Sequence, residues 1–376
     1  MSELLVNTIK KADGTGSLTV PAESGTVVTT ASPSLGRRNL IINGAMQVAQ
    51  RGTSFTSLAT GTYALDRYQF YRSGGGNWNV EQSTDAPDNF KNSVKITVST
   101  ADSSIAAGDY YLFGQKIEGQ NMSHLNFGSS AAQTVTLSFQ VKSSLTGTFS
   151  GVLTNSAENR SYPFTYSIST ANTWEAKTVT VAGDTSGTWL DTNNIGMEVW
   201  FDMGSGTTYQ GTAGAWAGAT YYAASSSTQL IGTASATFQI TGVQLEVGDT
   251  ATPFEHRSYG EELALCQRYF QRAVDNDTGD NLSTGANQAG TTAVRFVWPL
   301  SVPLRASPTV SQTGTGWKMF AYNTSNGSTN TPTVYRHTVD AGYIGLQVNN
   351  YSGLSDNRVC TTSPQNLTKL DFDSEL

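Results

Sequence analysis

The strongest constraint on this chain is a period of two. From Gln133 to Val141, Val135, Leu137, Phe139 and Val141 share one parity, and Thr134, Thr136, Ser138 and Gln140 share the other. Such alternation belongs to a strand with one face in a core and one in water. Lys177–Val181 and Met197–Met203 repeat it, and Asp66–Arg72 and Tyr110–Ile117 read as further strands. Phe238 and Ile240 take one parity while Val243, Leu245 and Val247 take the other, so a β-bulge is expected at Thr241-Gly242. Gly, Asn and Ser turns separate these segments. The pattern predicts an all-β chain whose main part is a sandwich or jelly roll over residues 37–257.

One segment departs from the pattern. Ser258-Tyr259-Gly260-Glu261 has capping-box spacing, and Leu263, Cys266, Phe270 and Ala273 then follow a helical period. This predicts a short amphipathic helix over 258–273 with Cys266 as a buried thiol. Residues 258–376 thus read as this helix followed by a C-terminal β-sandwich. There Val294, Phe296, Trp298, Leu300, Val302 and Leu304 alternate, with Pro299 and Pro303 on the opposite parity. Proline gives nothing to a sheet ladder, so an edge strand or a kinked pair is expected. Ile344, Leu346 and Val348 alternate too, and Asn323–Thr333 reads as a long exposed loop. Residues 1–36 carry little apolar surface beyond Leu5, Val6 and Ile9, too little to order a segment alone. They read as a segment that is flexible alone or ordered by neighbouring chains, the second of which fits a docking arm.

Composition narrows the function. Only 14% of the 376 residues are charged, against ~25% in ordinary soluble domains. Ser, Thr, Asn and 37 Gly fill the gap, which suits a rigid β object exposed to the medium. A net charge of -7 without a basic stripe argues against nucleic acid as a partner. No run of 18 apolar residues is present, so membrane insertion is not expected. Met1-Ser2-Glu3-Leu4-Leu5-Val6 lacks the pattern of a secretory signal, which points to synthesis in a cytoplasm.

Catalytic chemistry is poorly represented. His124, His256 and His337 have no metal-ligand spacing, and Cys266 and Cys360 form no cluster. Glu198 and Asp202 project from one strand face, close enough in principle for a retaining glycosidase pair, but many solvated surface pairs meet that condition. The expectation is no enzyme and no required cofactor. A structural calcium ion is a further expectation near Asp184, Asp191, Asn193 and Asn194.

Binding chemistry is better represented. Sugars offer C–H faces to aromatic rings and hydroxyls to polar tips, and the chain has seven Trp and 16 Tyr. Trp216 sits in a small-residue loop with Tyr221 and Tyr222 close behind, and Trp317 and Tyr322 precede the polar loop of the last domain. Trp200 has the parity opposite to Met197, Val199, Phe201 and Met203, which places it outside the core. These six are the candidate glycan contacts. Trp174, Trp189 and Trp298 read as core.

Several segments resemble phage virion proteins of the tail-fibre type. They are Asn39–Gly52 with Asp66-Arg67-Tyr68, Gly183–Trp189, Thr241–Gly248 with Ala251–Arg257, Glu261–Phe270 and Val302–Val310, in that order. The resemblance implies a virion fibre or spike, commonly a homotrimer, with a jelly roll like that of carbohydrate-binding modules. A head spike of a phage-like gene transfer particle would share these features. Under this reading residues 1–36 dock to other virion proteins, and the β domains bind host cell-surface polysaccharide from the particle surface. A purely structural connector or decoration protein is the alternative, and a polysaccharide depolymerase is the third reading.

Overall fold

The computed structural model describes residues 8–10, 17–19, 37–273, 283–289, 292–314, 317–321, 324–328, 330–337, 341–351, 359–364 and 367–376. The chain divides into two compact units, Met1–Gly36 and Arg37–Leu376. In the first, Thr8–Lys10 and Ser17–Thr19 pair antiparallel; the rest of the expected arm lies outside the described residues.

The second unit begins with two six-stranded antiparallel sheets. One runs in the order Ser161–Ile168, Gly147–Asn155, Ile195–Ser205, Tyr110–Glu118, Gln69–Arg72, Thr62–Tyr63. The other runs Glu175–Val181, Val135–Ser143, Thr237–Val247, Ser93–Thr100, Asn77–Ser83, Ser54–Phe55. Hairpin neighbours such as Gly147–Asn155 with Ser161–Ile168 alternate with neighbours distant in sequence such as Ile195–Ser205 with Tyr110–Glu118, as in a jelly roll. The inward parities of both sheets meet in one core that holds Val135, Leu137, Phe139, Val141, Met197, Val199, Phe201, Met203, Phe238 and Ile240. The parity switch at Thr241-Gly242 is a bulge: register slips between Thr241 and Gln244, and Gly242 has φ +62.

Ser258 caps a helix over Tyr259–Gln267: its side chain accepts from the Glu261 amide, while Glu261 reaches back to the Ser258 amide. The helix is shorter than its sequence period suggests. Phe270–Ala273 leaves it to pair antiparallel with Leu367–Asp373, which buries Phe270. Cys266 is buried, as expected.

Beyond the helix, the three-stranded sheet Phe270–Ala273, Leu367–Asp373, Thr309–Gly314 accompanies a seven-stranded sheet. The latter runs Thr324–Ser328, Trp317–Ala321, Val359–Pro364, Ser283–Ala289, Ala293–Pro299, Tyr343–Val348, Thr333–Arg336. Two expectations are corrected here. Ala293–Pro299 is an interior strand with Pro299 as its last residue, so the missing N–H falls where the ladder ends. Thr324–Ser328, expected within a loop, is a strand paired with Trp317–Ala321.

Ion pairs seat the helix and the C-terminal strand against the jelly roll. Arg67, fully buried and at φ +71, pairs with Glu375 and lies 3.5 Å from the Tyr269 ring centroid. Glu118 accepts from Arg268 at 2.8 and 3.0 Å and from the Tyr269 hydroxyl at 2.7 Å. Buried charges are tolerable when each has such partners.

Candidate functional site

Strand Ile195–Ser205 turns Glu198, Trp200 and Asp202 away from the core, on the parity the sequence suggests. Trp200 stands opposite Gly114 and Val152, Glu198 opposite Lys116 and Thr154, and Asp202 opposite Leu112. Gly114 permits this packing, since a Cβ there would lie 2.0 Å from the Val199 carbonyl and 2.6 Å from the indole. The segment between Ser205 and Leu230 folds back over this face. It is tied down by the Gln210–Gly211/Ala223–Ala224 ladder and by the Tyr222 amide donating to the Tyr209 carbonyl at 2.8 Å. Leu112, Val152, Trp200 and Tyr222 thereby form a buried apolar base, against which Tyr71, Tyr110 and Tyr209 pack half-buried.

The rings interlock. Tyr110 lies 5.5 Å from Tyr209 and 5.2 Å from Tyr222, Tyr209 lies 4.8 Å from Tyr222, and Tyr71 meets Trp200 edge-on at 5.6 Å. Aromatic pairs at such spacing gain about 0.5–1.5 kcal/mol beyond area burial. Polar groups stand around them. The Lys116 ammonium lies 5.3 Å from the Tyr71 ring, the Tyr222 hydroxyl donates to Glu158 Oε2 at 2.6 Å, and the Trp200 Nε1 donates to Glu198 Oε2 at 2.7 Å. Burial raises the Glu198 carboxyl to about 7 against the pull of Lys116 and the indole hydrogen bond. Burial likewise raises Asp202 to about 6, although it accepts from the Ser205, Ser150 and Ser227 hydroxyls and the Gly204 amide.

The predicted residues separate. Trp200 and Tyr222 belong to this face, but at 2% and 7% exposure they are its base and not its contact surface. The covering segment, which carries Tyr222, buries Trp200, and that fold-back is what the parity of Trp200 alone does not reveal. Glu198 and Asp202 are buried at 3% and 0% exposure, which corrects their reading as solvated charges. Trp216 is half-buried elsewhere, among Phe127, Tyr162 and Trp189 at 5.9, 5.3 and 5.4 Å, with its Nε1 donating to the Ala182 carbonyl at 2.7 Å. It anchors its loop. Tyr221 is half-buried and covers Gly211, where a Cβ would meet its ring at 2.4 Å. Trp317 pairs through its backbone with Ser328 and Pro364; its ring and Tyr322 lie outside the described residues.

Trp189 and Trp298 pack on the cores as expected. Trp174 does not: its Nε1 donates to the exposed Asp85 at 3.2 Å, and Lys142 stands 5.0 Å from its ring. The residues named for calcium are engaged as follows. Both Asp184 oxygens accept from Arg160 at 2.7 Å, the Asn193 amide donates to the Arg305 carbonyl at 3.0 Å, and Asp191 is solvent-exposed. Asp184 is thus paired with Arg160 in this structure.

Sequence reading missed Tyr71, Tyr110, Tyr209, Lys116 and Glu158. Tyr71 was within reach, because its neighbour Phe70 is core and the next residue on a strand must face outward.

No protein-family model and no curated protein matches the chain. Among solved structures, the enzymatically active domain of tailspike protein 4 from bacteriophage CBA120 aligns at 14% identity over 51% of this chain and 21% of that one, with a TM-score of 0.31. The match thus spans about a fifth of the tailspike chain. A family 4 carbohydrate-binding module aligns at 13% identity over 55% of this chain and 98% of that one, with a TM-score of 0.30. The family 11 carbohydrate-binding module of a Clostridium thermocellum cellulase aligns at 11% identity over 53% and 98%, with a TM-score of 0.25. Likeness at this level leaves the function of this chain to its own residues.

Proposed function

We propose that the sheet face bearing Tyr71, Tyr110 and Tyr209 binds a neutral glycan, and that the chain is a non-enzymatic fibre or spike of a phage or phage-like particle attaching to cell-surface polysaccharide. One observation carries the binding reading: half-buried tyrosines, immobilised on an apolar base, ringed by Lys116 and Glu158. Held rings lose little entropy when a sugar stacks on them, and their hydroxyls together with the ammonium and carboxylate answer the sugar's own hydroxyls. Lys116 and Glu158 offset each other's charge around the rings, which favours an uncharged polymer.

Where the acids sit supports binding rather than hydrolysis. Glu198 is spent on Trp200 beneath the tyrosines, and Asp202 is enclosed by four donors. Neither reaches a glycosidic oxygen without the covering segment leaving. The particle role is supported by the ordered segments between Asn39 and Val310 that resemble tail-fibre proteins. In this reading the chain is a homotrimer on the virion surface, made in the host cytoplasm and docked through residues 1–36.

The test is retardation in gels cast with dextran, xylan or galactomannan, comparing the full chain with a Tyr71→Ala/Tyr110→Ala variant. Losing stacking rings should weaken binding roughly 5- to 150-fold per ring, by analogy with base–aromatic stacking.

A further inference from the structure

Among the described residues the large hydrophobic side chains most open to solvent are Tyr259, Val297, Tyr335 and Tyr343, at 56%, 49%, 42% and 49% exposure. The last three share one face of the C-terminal seven-stranded sheet. Phe296, Ile344, Leu346 and Val348 point into the core, and Trp298 packs against it. The opposite parity therefore carries Arg295 and Val297 on one strand and Tyr343, Gly345 and Gln347 on the next, with Arg295 opposite Gln347 and Val297 opposite Gly345.

A bulge completes the surface. On the third strand Val334 pairs with Leu346, but Arg336 pairs with Gly345, so Tyr335 is the extra residue. A bulge re-aims side chains, and here it sets two neighbours over one glycine. A Cβ on Gly345 would lie 2.7 Å from the Tyr335 ring and 3.2 Å from Arg336 Cβ. The ring thus lies across the sheet in the space a side chain would fill. The Arg295 guanidinium stands 4.9 Å from the Tyr335 centroid and donates from Nε to Gln347 Oε1 at 2.7 Å.

Charge says what this surface takes. The three strands Ala293–Pro299, Thr333–Arg336 and Tyr343–Val348 carry two arginines and no carboxylate, in a chain of net charge -7. We propose that Tyr335, Tyr343, Arg295 and Arg336 form a second saccharide surface, separate from the jelly-roll tyrosines, that binds an acidic polysaccharide. The rings stack on sugar C–H faces, and the arginines, whose planar fork matches a carboxylate, pair with uronate-type groups.

Affinity electrophoresis tests this with alginate, polygalacturonate and hyaluronate, against dextran as the neutral control. The full chain should be retarded by at least one acidic polymer, less at high salt. Tyr335→Ser/Tyr343→Ser should weaken that binding by roughly 5- to 150-fold per ring. Arg295→Ser/Arg336→Ser should abolish the salt dependence. All four side chains are exposed, so unchanged melting is expected of both variants. Tyr71→Ala/Tyr110→Ala should leave acidic binding intact, so failure of this surface and failure of the jelly-roll surface are read separately. The proposal is overturned if no acidic polymer retards the parent, or if both variants are retarded like it. It is equally overturned if Tyr335→Ser/Tyr343→Ser turns an oligomer into a monomer in sedimentation, which makes the patch a contact between copies.

Discussion

The Trp200 indole donates to the Glu198 carboxyl at 2.7 Å from two residues along the same strand, and both groups lie beneath the tyrosines. This fixes a pH dependence. Glu198 titrates at about 7 and Asp202 at about 6 in the fold, against about 4 for unfolded carboxyls. Between those values the folded chain holds more protons than the unfolded one, so stability falls as pH rises through the window and levels off above it. Glu198 alone contributes a loss on the order of 3 kcal/mol. Glu198→Gln should flatten the slope, so that denaturant midpoints near about pH 5 and about pH 8 draw together. An unchanged slope would mean that the carboxyl ionises as readily in the fold as out of it.

Gly114→Ala should destabilise the jelly roll. The added methyl meets the Val199 carbonyl at 2.0 Å and the Trp200 backbone at 2.9 Å, and neither is a flexible side-chain end. Overpacking of this kind costs about 1–3 kcal/mol, readable as a lower denaturant midpoint at constant slope. A variant as stable as its parent would show that the two strands part more easily than their register suggests.

These two sites show how far the sequence could be read. Parity places Glu198, Trp200 and Asp202 outside the core and marks the Gly242 bulge, and capping-box spacing marks the Ser258 cap. It cannot reveal that the segment after Ser205 folds back and converts an outer face into an interior. That depends on long-range contacts, such as Tyr222 with Trp200, that leave no periodic trace. Trp216 shows the same limit: its small-residue setting reads as an exposed tip, whereas Phe127, Tyr162 and Trp189 come from distant segments to hold it. In the C-terminal domain, Ser and Asn turn chemistry hid the strand Thr324–Ser328.

Glu375 is buried between Arg67 and Arg51. Glu375→Gln removes the countercharge from the fully buried Arg67 and should cost about 3–5 kcal/mol. Arg67→Met/Glu375→Leu, which removes the Arg67 charge together with its partner, should recover much of that loss in the same denaturation assay. A single variant that unfolds like its parent would show that Lys116, whose carbonyl accepts from Arg67 at 2.6 Å, already satisfies the guanidinium.

Deleting residues 1–36 should leave the midpoint of the remaining chain unchanged, because Arg37–Leu376 is a compact unit with its own cores. Light scattering on both forms tests the proposed trimer: a stable monomer near 40.1 kDa for the full chain counts against it.

Glycan binding by the jelly-roll tyrosines is tested most directly by titrating the full chain and Tyr71→Ala/Tyr110→Ala with neutral polysaccharide in affinity gels. Retardation of the parent by dextran, xylan or galactomannan, weakened roughly 5- to 150-fold per ring in a variant that is less stable but still folded at the assay temperature, is the expected result. A parent that no neutral polymer retards, or a variant retarded equally, contradicts it and leaves the tyrosines as packing for the fold-back segment.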